Sequence, residues 1–204
     1  MANLHFHYGV MSSSKSAALI INAHNFTQNQ NPTEVIKPSF DNRFASDKIV
    51  SRIGLNWDAN AMPNLQNYTP KPDTKLILVD EVQFFSPADI DKLVKIADEQ
   101  NKIVMCYGLM VDSNEKIFPA SQRLIEVGAK LHRMESSCQI NGCMKLATHH
   151  LRFDSAGCVI RAGDQFALGD SNYKSVCRHH FNEIYHKKQK IRRSEEHTSE
   201  LQSP

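Results

Sequence analysis

Three groups of residues have the types and spacing to do chemistry. The first is Gly9-Val10-Met11-Ser12-Ser13-Ser14-Lys15-Ser16. It follows an alternating run, Leu4–Tyr8, that reads as a strand, and precedes Ala17–Ala23, which reads as a helix. Strand, loop ending in Lys-Ser, then helix is the setting of a phosphate-binding loop. Backbone N–H groups at the helix N-terminus point at the anion and the helix dipole adds a favourable field. One position departs from the pattern: Ser14 stands where glycine precedes the lysine. The alternative is a serine-rich turn that merely caps a helix.

The second group is Asp80-Glu81, which closes the apolar run Lys75–Val79. An acid at such a strand end can hold Mg²⁺ through its water shell. Ser16 would offer its hydroxyl to the same ion, and Lys15 would pair with the β- and γ-phosphates. Phosphoryl transfer also needs a group that orients the acceptor hydroxyl and takes its proton, and Glu81 is the candidate. Otherwise the two acids simply begin a loop.

The third group pairs Cys138 with Cys143 and Cys177 with His180. Two thiol-bearing knuckles supply four soft or borderline ligands, which suits tetrahedral structural Zn²⁺. His179 is the alternative ligand beside His180, and Gly142 allows the turn before Cys143. Such a site can contribute an apparent ~10–16 kcal/mol to folding. The competing reading is buried cysteines with a surface histidine. Cys106 lies in an apolar strand and reads as core, Cys158 stands alone, and His149, His150 and His186 read as solvated.

These groups need elements to position them. Glu34–Phe40 reads as a strand with Pro38 at an edge or a strand end. Residues 56–74, with Pro63, Pro70 and Pro72, read as a loop or broken, mobile segment. The runs Lys75–Glu81 and Lys102–Leu109 are continuous and apolar, as in strands buried on both faces of a parallel sheet. Between them Pro87 opens a helix to about Glu99, with Ser86 as N-cap. Ser121 to Leu131 reads as another helix. This alternation indicates an α/β fold with a mostly parallel sheet, whose ligands gather at the carboxyl ends of strands. Gly9, Asp80 and Leu109 mark three such ends. After Met134 helical periodicity is lost, so the expected division is an α/β unit over 1–134 and a small metal-stapled unit over 135–190.

Composition limits the partners. A net charge of +2 over 204 residues gives no field for nucleic acid or a membrane surface. No apolar run suits a membrane span, and no secretory signal opens the chain. Five cysteines in a chain this long fit a reducing compartment, which places the protein in the cytoplasm. Residues 193–203 resemble the one-frame translation of a sequencing-library adapter, so 193–204 reads as a non-native or disordered tail.

Together these residues resemble the small, zinc-containing (type II) thymidine kinases, most closely in their enterobacterial form. The stretches that carry the resemblance are LHFHYGVMSSSKS at the start, DNRF at 41–44, SRIGL at 51–55, LVDEVQFF at 78–85, CYGLMVD at 106–112 and YKSVCRHH at 173–180. The resemblance implies ATP-dependent phosphorylation of the 5′-hydroxyl of thymidine or deoxyuridine in deoxynucleotide salvage. It implies a phosphate-loop fold of the recombinase type with a zinc-stapled lasso unit, and a homotetramer. Glu81 carries over as catalytic base, residues 9–16 as the phosphate loop, and Asp80, Glu81, Val82 and Gln83 as neighbours of the nucleotide. Cys138, Cys143, Cys177 and His180 match the zinc positions. The lasso would run from about Arg161 to Tyr173, with Tyr173 over the base and Gly169 and Phe84 also facing the acceptor. Three departures point to reduced efficiency: Ser14 for glycine, Ser113 for an aromatic residue near the base, and Leu168 for the first glycine of a pair. A kinase homologue that keeps the fold but is impaired in catalysis, or a zinc-containing nucleotide-binding module, are the competing readings.

Overall fold

The computed structural model describes residues 3–41, 47–161 and 173–186. Asn42, Arg43, Phe44, Leu168, Gly169, most of the expected lasso and the 193–204 tail lie outside the described residues. Six strands form one parallel sheet: β1 (Leu4–Tyr8), β2 (Thr33–Pro38), β5 (Asn60–Met62), β6 (Leu76–Val79), β7 (Ile103–Gly108) and β8 (Lys130–Arg133), in the order β5-β2-β6-β7-β1-β8. Helix α1 (Lys15–Gln28) covers one face, and α2 (Pro87–Glu99) with α3 (Pro119–Glu126) covers the other.

The apolar run of β6 is continuous because both its faces are buried. Leu76 and Leu78 pack with Leu19, Ile20 and Ala23 of α1, whereas Ile77 and Val79 pack with Ile90, Leu93 and Ile96 of α2. Helix α2 spans the residues that its start signal predicts. Ser86 accepts from the Asp89 amide at 3.2 Å and the Asp89 carboxylate accepts from the Ser86 amide at 3.0 Å, with Pro87 at the first helical position.

Two sequence expectations change. The helix read over 121–131 ends at Glu126, because Gly128 turns the chain at φ +76 and Lys130–Arg133 pairs with β1 as an edge strand. The segment 56–74 is not merely a loop. β4 (Asn56–Asp58) forms a hairpin with β3 (Lys48–Val50), and β5 joins the main sheet beside β2. Pro38 therefore lies at a strand end and not on an edge strand. Beyond β5, Leu65 and Tyr68 are buried, and Glu34 accepts hydrogen bonds from the Tyr68 hydroxyl, the Lys71 amide and the Thr74 hydroxyl. Lys102 donates to the carbonyls of Lys71, Pro72 and Thr74 and so pins the same stretch.

At the β8 edge, His5, His7 and His132 stack on one another. Ring centroids are 4.4 Å apart for His7–His132 and 5.3 Å for His5–His132, and His7 also stacks on Tyr107 at 4.6 Å. Burial, and then the neighbouring His132 and His5, push His7 down to about 4, while His5 and His132 are lowered too. Unfolded histidine titrates near 6.5, so the folded chain binds fewer protons between roughly pH 6.5 and 4. Stability from this stack is complete above that window and is lost as pH falls through it. We expect His7→Phe, which keeps the stacking but cannot charge, to reduce the loss between pH 7 and pH 5 by about 1–2 kcal/mol, discounted for partial exposure. Urea unfolding at both pH values measures this; equal losses in wild type and variant would contradict it.

The smaller sheet pairs β9 (His149–Arg152) antiparallel with β10 (Tyr173–Val176), which leads into α4 (Arg178–Phe181). Leu151, Phe153, Val176, Phe181 and Ile184 form its core together with Cys138 and Cys177. Among the described residues no helix is long and apolar enough to cross a membrane.

Candidate functional site

The loop after β1 and the acids after β6 meet in one cavity of about 120 Å³, whose lining includes Met11 to Ser16, Lys37, Arg52, Asp80 and Glu81. Ser16, in the first turn of α1, donates its hydroxyl to Asp80 Oδ2 at 3.0 Å. Lys15 is buried and folds back along the loop, donating to the Val10 carbonyl at 2.7 Å and the Ser13 hydroxyl at 3.4 Å. Ser14 makes no side-chain cap hydrogen bond to α1. Amides at a helix start without such a cap can face an anion.

Burial and then the adjacent Glu81 push the Asp80 carboxyl up, against the lowering effects of the Ser16 hydroxyl, the Glu81 amide and Lys15. A buried carboxyl with a second acid beside it calls for cationic charge, and Lys15, Lys37, Lys48 and Arg52 line the same cavity. Glu81 has φ 47 and opens a one-turn 3-10 helix over Val82–Phe84. Its carboxylate accepts from Gln83 Nε2 at 2.7 Å. Gln83 is fully buried and accepts from the Leu109 amide at 3.0 Å, so the end of β7 fixes the amide that orients Glu81. Gly9 donates its amide to the Gly108 carbonyl at 3.3 Å, and the three strand ends marked by Gly9, Asp80 and Leu109 thus do converge.

Sequence reasoning attached no role to several residues here. Arg52, at the tip of the β3–β4 hairpin, donates to the Ser12 hydroxyl at 2.7 Å. Asp41 also lines the cavity. It and Arg52 fall in stretches already notable for their resemblance, which was an available signal; Lys37 and Lys48 had none. Phe84 packs edge-on against Phe40 at 5.4 Å and Phe118 at 6.3 Å. Tyr173 sits at the start of β10, and Ser175, two residues on, donates to the Met11 carbonyl at 2.5 Å. His150 was expected to be solvated but is only 3% exposed, and His149 is half-buried against Glu115 and Phe181. Both are held in a paired strand, which a polar His-His dipeptide does not advertise.

Ser14 and Ser12 both have φ 59, in the left-handed region. A non-glycine residue there costs roughly 1–2 kcal/mol. We expect Ser14→Gly to stabilise the fold by ~1 kcal/mol. A melting curve tests this; an unchanged or lowered melting temperature would show that the left-handed backbone at Ser14 carries no strain.

Cys138, Cys143, Cys177 and His180 come together as expected. Their ligand atoms all lie within 4.8 Å of one another. Both Cys138 Sγ and Cys177 Sγ are 3.4 Å from His180 Nδ1, and Cys143 Sγ is 4.0 Å from Cys177 Sγ. Tetrahedral Zn²⁺ with Zn–S near 2.3 Å requires sulfur atoms roughly 3.8 Å apart, so the donor set fits such a metal. Gly142, at φ +74, makes the turn that presents Cys143.

The thymidine kinase family model matches residues 2–181. A thymidine kinase of Enterobacteria phage T4 is 34% identical over 191 residues, covering 90% of this chain and 97% of the relative. A thymidine kinase of Photorhabdus laumondii is 33% identical over 201 residues, covering 95% and 98%. One from Shewanella oneidensis is 34% identical over 192 residues, covering 90% and 98%. A Lys-Ser loop joined to a strand-end acid, a cysteine–histidine cluster that could hold a metal, and near full-length likeness to these proteins lead to one conclusion: the chain belongs to the thymidine kinase family.

Proposed function

We propose that the protein transfers the γ-phosphoryl group of ATP to the 5′-hydroxyl of thymidine or deoxyuridine, supplying deoxynucleoside monophosphate for DNA synthesis. The observation that carries the reading is the Ser16–Asp80 hydrogen bond of 3.0 Å, in a cavity shared with Lys15 and Glu81. That constellation, in a member of this family, is what phosphoryl transfer needs. The loop amides of residues 9–16 and Lys15 bind the phosphates of ATP. Ser16 and Asp80 would hold the accompanying Mg²⁺, which supplies charge neutralisation when bound. Glu81, steadied by Gln83, takes the proton from the 5′-hydroxyl as that oxygen bonds to the γ-phosphorus and the bond to the β-phosphate oxygen breaks.

Residues 1–134 serve as the ATP-binding unit and 135–190 as the unit that closes over the acceptor. Tyr173, Gly169 and Phe84 contribute to acceptor binding, and Zn²⁺ on the four-ligand cluster holds the smaller unit together. The enzyme works as a homotetramer in the cytoplasm, without nucleic acid or membrane partners. Incubation with ATP, Mg²⁺ and labelled thymidine tests the reading. Thymidine monophosphate is the expected product, and none at millimolar ATP would reject it.

A further inference from the structure

On the far side of the phosphate loop a second cavity, of about 260 Å³, opens between the main sheet and the β9–β10 ribbon. Tyr8, Gly9, Val10 and Met110 line it from the sheet; Thr148 and His150 line it from the ribbon. It is smaller than the roughly 300–1,000 Å³ of pockets that enclose whole drug-sized ligands, and suits one planar ring.

The ribbon has two faces of different use. Leu151 and Val176 point into the core around the cysteines. Tyr173, Ser175 and His150 share the opposite face, since Ser175 pairs with His150 in register and the Tyr173 ring meets the His150 ring edge-on at 5.9 Å. That face looks at the phosphate loop, because the Ser175 hydroxyl reaches the Met11 carbonyl. His150 is buried there, and its Nδ1 has no hydrogen-bond partner among the described residues. A buried polar atom left without a partner costs free energy, so a position that keeps one calls for an explanation. Apolar side chains such as Leu151 fill the neighbouring strand positions without that cost.

We propose that His150 hydrogen-bonds the pyrimidine base of the acceptor nucleoside and is a specificity-determining residue of this enzyme; the proposal rests on the kinase reading above. A thymine or uracil ring offers carbonyl acceptors on either side of an N3–H donor, so Nδ1 finds a partner in either tautomer. Burial, then the charge of Lys15 and the neighbouring His149, hold the imidazole down to about 3, so it meets the base as a neutral group. Tyr173 beside it supplies a ring for stacking.

His150→Leu removes the polar atom and keeps an apolar filling. We expect its KM for thymidine to rise about tenfold, its KM for ATP to change less than twofold, and its melting temperature to hold or rise. A purely structural histidine would lower the melting temperature and leave the KM values together. In wild-type protein without ATP, the ¹⁵N resonance of His150 Nδ1 should shift when thymidine is added, which decides the matter even if the variant folds poorly. Thymidine turnover by wild type with no Nδ1 shift, or an unchanged thymidine KM in folded His150→Leu, would overturn the role of His150 alone. A shift without any phosphorylation would sink the kinase reading and leave base recognition supported.

Discussion

Glu81→Gln should lower kcat by about 10²–10⁴ while ATP binding survives. The substitution is nearly isosteric, so the hydrogen bond from Gln83 Nε2 to the Glu81 Oε2 position persists through the amide oxygen. The left-handed backbone at φ 47 is also as accessible to glutamine as to glutamate. What is lost is the proton acceptor that we propose for the 5′-hydroxyl. On the proposed reading the phosphates are held by other groups, namely the loop amides, Lys15 and the Ser16–Asp80 pair, which share the cavity with Glu81. Binding of ATP and its chemistry therefore separate at this residue. Titration calorimetry with ATP and single-turnover kinetics with thymidine measure the two. Full-rate transfer by the variant would show that Glu81 is not the base, and loss of ATP binding would place it among the phosphate ligands instead. Gln83 gives a weaker version of the same effect, since it touches Glu81 and the end of β7 but lines no part of the phosphate cavity.

The parts of the fold that could be read from sequence are those where local chemistry and tertiary position agree. Ser86-Pro87 with Asp89 is a helix start in its own right, and α2 begins there. Continuous apolar runs become β6 and β7 because a parallel sheet covered on both faces wants nothing else. The site was legible for the same reason: Lys15-Ser16 and Asp80-Glu81 stand at strand ends, where this architecture collects ligands. Tertiary pairing decided the parts that were misread. Asn60-Ala61-Met62 has no strand propensity, yet it completes the ladder beside Ile36–Pro38. Lys130–Arg133 continues an apparent helical pattern until Gly128 is recognised as its stop. His149 and His150 look alike in sequence, and only the two-residue period of β9 sends one toward Phe181 and the other toward the phosphate loop.

Removal of metal should dismantle the smaller unit while leaving the parallel sheet folded. The core around β9 and β10 is thin: among the described residues its cluster consists of Leu151, Phe153, Val176, Phe181 and Ile184 besides the cysteines. A core of that size does not offset the entropy of ordering its chain by apolar burial alone. A four-ligand Zn²⁺ site contributes an apparent ~10–16 kcal/mol, enough to decide whether the unit folds. The main sheet keeps its two clusters, one on each face, and contains none of the four ligands. The two units touch at Ser175–Met11 and across the cavity beside His150, so loss of the smaller one should remove acceptor binding before it removes ATP binding. Treatment with a strong chelator is expected to open residues 135–186 to limited proteolysis and to abolish thymidine binding, with ATP binding weakened less than tenfold. Cys177→Ser should reproduce the result without chelator, because serine is a far poorer ligand for the metal and Cys177 contacts both Cys143 and His180. An unchanged cleavage pattern in either case would show that the cluster is not a structural metal site and that apolar packing alone holds this unit.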